Sequence, residues 1–129
     1  MMIVDSDLLI DFLRDQKPVV SRLLEEIENN EICTTAVSRF ELLAGVQSMK
    51  QLSTVQRFLD AIKTLPLDAA ASDRAAEVHR DLSKKGQDIG MADSLIAGIV
   101  LNNKAALLTR NRKHFERVQG IHLGSLGLR

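Results

Sequence analysis

The stretch Gly90-Met91-Ala92-Asp93-Ser94-Leu95-Ile96-Ala97-Gly98-Ile99-Val100-Leu101 decides how the rest of the chain is read. From Leu95 to Leu101 it is apolar on every side, so as a helix it is predicted to be buried rather than to lie on the surface. One carboxylate, Asp93, falls in its first turn, where unpaired backbone N–H groups and the helix dipole favour an anion. Capping alone would account for an isolated Asp there. Two neighbours argue for more. Ala105-Ala106-Leu107-Leu108 follows as a short buried strand, and Ile3-Val4-Asp5-Ser6-Asp7 opens the chain with another apolar run that ends in acid.

The segments between these two points alternate. Met2-Ile3-Val4 reads as a buried strand with Asp5 at its C-terminal end, and Leu8 to Leu13 as a short helix. Pro18 suits the first turn of a second helix carrying Val20, Leu23, Leu24 and Ile27, closed by Asn29-Asn30. Ile32-Cys33-Thr34-Thr35 is predicted as a strand and Ala36 to Gly45 as a helix. Leu52, Val55, Leu59 and Ile62 stripe another helix, Thr64-Leu65-Pro66-Leu67 forms an edge strand, and Ala71, Ala75, Val78 and Leu82 mark a long amphipathic helix stopped at Gly86. A short helix over His114–Val118 and a strand at Ile121-His122-Leu123 close the pattern. Strands alternating with helices predict an α/β fold, a three-layer sandwich around a mainly parallel central sheet.

The 129 residues suit a single domain, 1–129, with a substantial core. Aromatics make up only 3% and Trp and Tyr are absent, so aliphatic side chains must do the packing, and base stacking is not expected to dominate recognition of a nucleic acid. Seventeen basic residues balance seventeen acidic ones, which counts against a dedicated nucleic-acid-binding module but not against a nuclease with a local acidic site. The lone Cys33 can form no internal disulfide and reads as a small core residue. No apolar run approaches ~18 residues and no signal-type segment opens the chain, so no membrane association and a cytoplasmic location are expected.

In parallel α/β sheets ligands bind beyond the carboxyl ends of the strands. Asp5 ends the first strand, Asn111 lies just past Leu107-Leu108, and Asp93 opens the helix leading into that strand, so the three converge on one edge. Glu41 is the remaining candidate. Ser38-x-x-Glu41 fits a capping box, but a box at Ser38 would interrupt the helix begun by Ala36-Val37, and flanking Phe40, Leu42 and Leu43 place Glu41 near buried surface. If Asp5, Glu41 and Asp93 meet, two charges ~4 Å apart repel by ~4 kcal/mol even at an effective dielectric of about 20. A divalent cation resolves that repulsion. Oxygen-only ligands favour Mg²⁺ or Mn²⁺ over Zn²⁺, and such an ion suits phosphodiester hydrolysis.

Asp5-Ser6-Asp7-Leu8-Leu9, Ser38 to Val46, Asp93-Ser94-Leu95-Ile96-Ala97 and Leu108 to Phe115, in this order, resemble the PIN-domain ribonucleases, in particular the VapC-like toxins of toxin–antitoxin pairs. The likeness spans essentially the whole chain. It implies a PIN-like fold and a metal-dependent endoribonuclease in which Asp5, Glu41 and Asp93 are metal ligands and, with Asn111 at the fourth position, the catalytic set. Because Asn111 is neutral where many members carry Asp, a second metal would bind more weakly. Thr109 matches a hydroxyl residue often near the site, and Asp7 a supporting position. Arg110, Arg112 and Lys113 read as a solvated loop or as a basic rim for the RNA backbone, so Thr109, Arg110 and Arg112 are the candidate substrate contacts. His79 and His114 read as surface residues. The resemblance also implies an RNA substrate, a cognate antitoxin with a tail that folds on binding, and a homodimer. An apolar helix stripe, Val20 to Ile27 or Leu52 to Ile62, is expected to receive that tail. Asp5-Ser6-Asp7 also resembles the nucleophile motif of haloacid-dehalogenase-like phosphatases, although that reading leaves Glu41 without a role. A PIN-like module without catalysis is the other alternative.

Overall fold

The computed structural model describes residues 1–14, 25, 28 and 32–125. The helix expected around Val20 to Ile27 falls outside these residues. The described elements run in order as β1 (Met2–Val4), α1 (Ser6–Leu13), β2 (Ile32–Thr35), α2 (Ala36–Ala44), α3 (Met49–Asp60) and β3 (Lys63–Leu65). They continue as α4 (Ala69–Lys84), α5 (Met91–Asn102), β4 (Ala106–Leu108), α6 (Arg112–Phe115) and β5 (His122–Leu123).

The five strands form one sheet in the order β3-β2-β1-β4-β5, every neighbouring pair parallel. β1 is central because its residues are apolar enough to be covered on both faces: Ile3 packs to one side and Val4 to the other. Ile3 belongs to a core with Ile96, Ile99, Val100 and Phe115, beneath α4, α5 and α6. Val4 joins Leu8, Leu9, Leu42, Val55 and Leu59 beneath α1, α2 and α3. The result is the three-layer arrangement expected. β3 is an edge strand, as Pro66 required, and it ends at Leu65, before that proline.

Capping sets several boundaries. Thr35 Oγ1 accepts from Ser38 N, so α2 starts at Ala36 with Thr35 as its cap; Ser38 is free of that duty. Ser48 and Asp68 cap α3 and α4 in the same manner. Gly86, with φ +67, follows α4 in the left-handed region that favours glycine. The last helix differs from expectation. It spans Arg112–Phe115 rather than His114–Val118, because the turn is initiated at Asn111, whose carbonyl accepts from His114 N. In the α3 stripe Val55 and Leu59 are buried, at 6% and 0% exposure, while Leu52 and Ile62 are partly exposed, and Val55 lines a groove shared with α1 and α2. Cys33 is buried, as expected for a core residue.

Candidate active site

Asp5 is the first residue beyond β1 and lies on the carboxyl edge of the sheet. Its N–H donates to Leu108 O at 2.9 Å, extending the β1–β4 ladder by one residue and fixing the backbone beneath the carboxylate. The same residue is the N-cap of α1, with Oδ1 accepting from Ser6 N at 2.8 Å. Ser38 Oγ donates to Oδ1 from α2 at 3.2 Å, and Thr109 Oγ1 donates to Oδ2 from just past β4 at 2.8 Å. Asp5 is thus 5% exposed but satisfied from three directions. Burial raises its pKa above the ordinary Asp value despite these donors, and the nearby charge of Asp93 pushes the same way.

Asp7 sits in the first turn of α1. Its Oδ2 accepts from Arg110 N at 3.1 Å and from Thr109 Oγ1 at 3.4 Å, tying α1 to the loop after β4, while its buried Oδ1 has no hydrogen-bond partner. Burial, then the charge of Asp5, raises its pKa to about 6.

Glu41 comes from the opposite side of Asp5, on α2. It is an exposed residue rather than a buried one, because its helix position faces the site mouth while Leu42 turns into the core. Its Oε1 accepts from Ser6 Oγ at 3.1 Å, so Ser6 joins Asp5 through its amide and Glu41 through its hydroxyl. Partial burial, with repulsion from Asp5 and Asp93, raises the Glu41 pKa.

Asp93 arrives from the other helical layer. The N-cap of α5 is Gly90, at φ +89 and without a side-chain cap, so Asp93 does not occupy the capping position. Its Oδ2 instead accepts from Asn111 Nδ2 at 2.7 Å and meets His114 Nδ1 at 2.9 Å. Asp5, Glu41 and Asp93, together with Asn111, therefore share one edge of the sheet, the charge of Asp93 being one of the causes that raise the pKa values of Asp5 and Glu41.

The basic loop is more engaged than a solvated rim. Arg110 pairs with Asp11, and Arg112 donates to Gly124 O at 2.8 Å. Thr109 is buried beneath the carboxylates, where its hydroxyl serves Asp5. Three residues in contact with these acids had no site role in the sequence: Ser6, Ser38 and His114. For His114 the signal was present, since Asn111-x-x-His114 has the i, i+3 spacing that puts two side chains on one face of a helical turn. His79, half-exposed and 3.6 Å from Asp88, does lie on the surface.

A divalent ion fits this donor set by chemistry. The candidates are carboxylate and amide oxygens at an open edge, with acids whose charges oppose one another in the absence of a cation. Among the described residues no group of three or more His, Cys, Asp or Glu side chains stands close enough together to hold a metal ion by itself. Mg²⁺ does not need one, because it is ordinarily held by one or two carboxylates with waters and substrate phosphate filling the rest.

A family model for the PIN domain matches residues 2–121. Ribonuclease VapC19 of Mycobacterium tuberculosis is 35% identical over 120 residues, covering 89% of this chain and 92% of that protein. The tRNA(fMet)-specific endonuclease VapC of Shigella flexneri is 27% identical over 122 residues, 92% of each chain. In fold, the DNA-bound VapBC crystal structure from Salmonella typhimurium superposes with a TM-score of 0.86 at 24% identity, over 97% of both chains.

Proposed function

The chain belongs to the PIN domain family, and we propose that it is an endoribonuclease toxin of a toxin–antitoxin pair, a single domain that hydrolyses RNA phosphodiesters with Mg²⁺ or Mn²⁺. The observation that carries this reading is the meeting of Asp5 from the sheet, Glu41 from one helical layer and Asp93 from the other, each acid opposed by its neighbours' charge. Asp5, Glu41 and Asp93 would hold the ion, and Asn111 would add a neutral oxygen or amide donor beside it. The bound ion would supply Lewis-acid stabilisation of the charge developing on the phosphodiester and activation of the attacking water.

The chain's own residues do the positioning. Ser38 and Thr109 hold both Asp5 oxygens, Ser6 links Asp5 to Glu41, and Asp7 ties the Thr109–Arg110 turn to α1. Arg110 and Arg112 are exposed next to Asn111 and would receive RNA phosphates in exchange for Asp11 and the Gly124 carbonyl. Thr109 acts through Asp5. A phosphatase reading of Asp5 is disfavoured by the same geometry, since a carboxylate 5% exposed with both oxygens hydrogen-bonded is a poor nucleophile.

The cognate antitoxin is proposed to lay its tail in the groove lined by Ile10, Leu13, Leu42, Val46 and Val55, with Glu41 at its edge. An arginine of that tail would satisfy the acids bidentately and displace the metal. A homodimer and a cytoplasmic location follow from the resemblance; among the described residues no helix is long and apolar enough to cross a membrane. Purified protein should cleave RNA with Mn²⁺ and stop with EDTA, and co-expression with the neighbouring open reading frame should give an inactive complex. RNA left intact under every metal tested would overturn the nuclease reading. A protein that cleaves RNA yet is harmless to cells and has no binding neighbour would overturn only the toxin assignment.

A further inference from the structure

One ring nitrogen touches a site carboxylate, and it belongs to a residue the catalytic set does not include. His114 Nδ1 lies 2.9 Å from Asp93 Oδ2, and Asn111 Nδ2 lies 2.7 Å from the same oxygen. The two nitrogens are 2.8 Å apart, and because Asn111 Nδ2 only donates, His114 holds Asp93 as a donor in the tautomer protonated at Nδ1, in which both side chains converge on Oδ2. Asp93 Oδ1 accepts no hydrogen bond among the described residues.

The placement is built into the fold. α6 is anchored by Phe115, 0% exposed, and His114 N donates to Asn111 O, which sets the two side chains on one face of the turn. His114 is 38% exposed at its side chain and Asp93 19%, so the contact lies at the partly buried rim and not in the core. His79 gives the contrast: it stands 3.6 Å from Asp88 with both side chains about half-exposed.

We propose that His114 is a positioning residue of the metal site: with Asn111 it holds Asp93 by Oδ2 and leaves Oδ1 for the divalent cation. The proposal rests on the metal-dependent reading given above. A carboxylate at the N-terminal turn of a helix has free rotamers, and ordering it on metal binding costs entropy. A donor that fixes one oxygen beforehand removes part of that cost, and loss of such outer partners typically weakens metal binding by about 10–100-fold.

The test is Mn²⁺ binding to the metal-free full-length chain, followed by the electron paramagnetic resonance signal of free Mn²⁺, with no RNA present. His114→Ala should weaken binding about tenfold or more. His114→Asn, which can put an N–H donor near the position of Nδ1, should recover affinity to within about threefold of the wild type. His79→Ala should bind as the wild type does, and thermal unfolding of the metal-free variants should match. If His114→Ala does not fold, His114→Leu keeps the bulk, removes the donor and takes its place. Wild-type affinity in the donor-less variant overturns the proposal while leaving the metal reading intact, as does an Asn variant no better than Ala. A wild-type chain that binds no Mn²⁺ overturns both.

Discussion

The two helical layers that flank the sheet are finished differently. On one side α5 is buried through its middle, Ile96 to Val100, although Met91 at its start is exposed, and it lies so close to α4 that a Cβ at Gly98 would sit 2.5 Å from Ala71 O and 2.6 Å from Ala75 Cβ. On the other, α1, α2 and α3 leave an apolar groove and expose Ile10, Phe40 and Met49. The closed layer carries Asp93 and the open layer carries Glu41. The closest helix packing and the larger apolar groove thus lie on opposite faces of one sheet, and Asp5 in the middle belongs to neither.

The strongest test of that division removes one acid from each part. Asp93→Asn, Glu41→Gln and Asp5→Asn should each reduce RNA cleavage by roughly 10²–10³-fold or more while the fold persists. The metal-free variants should melt at or above the wild-type temperature, because each substitution relieves a buried or mutually repelled charge. Circular dichroism showing lost helix in one of them would reassign that acid to structure.

The same substitution made in both layers should then separate them. Gly98→Ala should cost about 3 kcal/mol, since the new methyl meets backbone and Ala75 at distances no side chain tolerates. Gly45→Ala, at the end of α2 with φ −88 and its nearest neighbour 3.5 Å away, should be neutral or stabilise by up to about 1 kcal/mol. Denaturant melts giving equal costs would remove the distinction between a closed and an open layer.

Asn111→Asp probes the Asp93 side alone. Adding a carboxylate next to Asp93 should tighten Mn²⁺ binding roughly tenfold by calorimetry and lower the stability of the metal-free form. Unchanged affinity would mean that position 111 does not face the ion.

A pH dependence of the metal-free protein tests the acids together. The folded pKa values of Asp5, Asp7 and Glu41 lie above their unfolded values, Asp7 at about 6 against 3.8, so the folded state holds their protons more tightly. Their contribution is fully present below the unfolded pKa and is lost as pH rises through the folded one, for Asp7 between 3.8 and about 6. Melting temperatures that rise with pH across this window would contradict the burial of these acids; added Mn²⁺ should offset the loss near neutrality.

Much of this was legible in the residues themselves. The uniform apolarity of Leu95 to Leu101 announced a helix buried for most of that run, Leu95 and Leu101 remaining partly exposed, and the short runs ending at Val4 and Leu108 announced strands of a mainly parallel sheet, though not that the two would pair. Asp5, Asp93 and Asn111 could be placed because strand ends and helix starts share one edge. Glu41 was found, but not its exposure, because flanking apolar residues on a helix do not say which way the acid between them turns. Thr35 as the α2 cap hid behind Ser38, whose pattern with Glu41 imitates a capping box. His114 was missed for a different reason: its partner is 21 residues away, and only the packing of α6 against α5 brings them together. Hydroxyl roles such as those of Ser6 and Ser38 depend on distances of a few tenths of an ångström that no spacing encodes.

The backbone bond from Asp5 N–H to Leu108 O also has a consequence for synthesis. Asp5 leaves the ribosome well before its neighbour strand β4 and its donor Thr109, which follow about a hundred positions later. Until they emerge, β1 has no partner on that side, and Asp93 lacks both Asn111 and His114. Pairings this distant along the chain form late. The order of translation therefore delays assembly of the carboxylate edge until β4 has been made, and a ribosome-bound fragment ending before β4 should carry the acids without cleaving RNA.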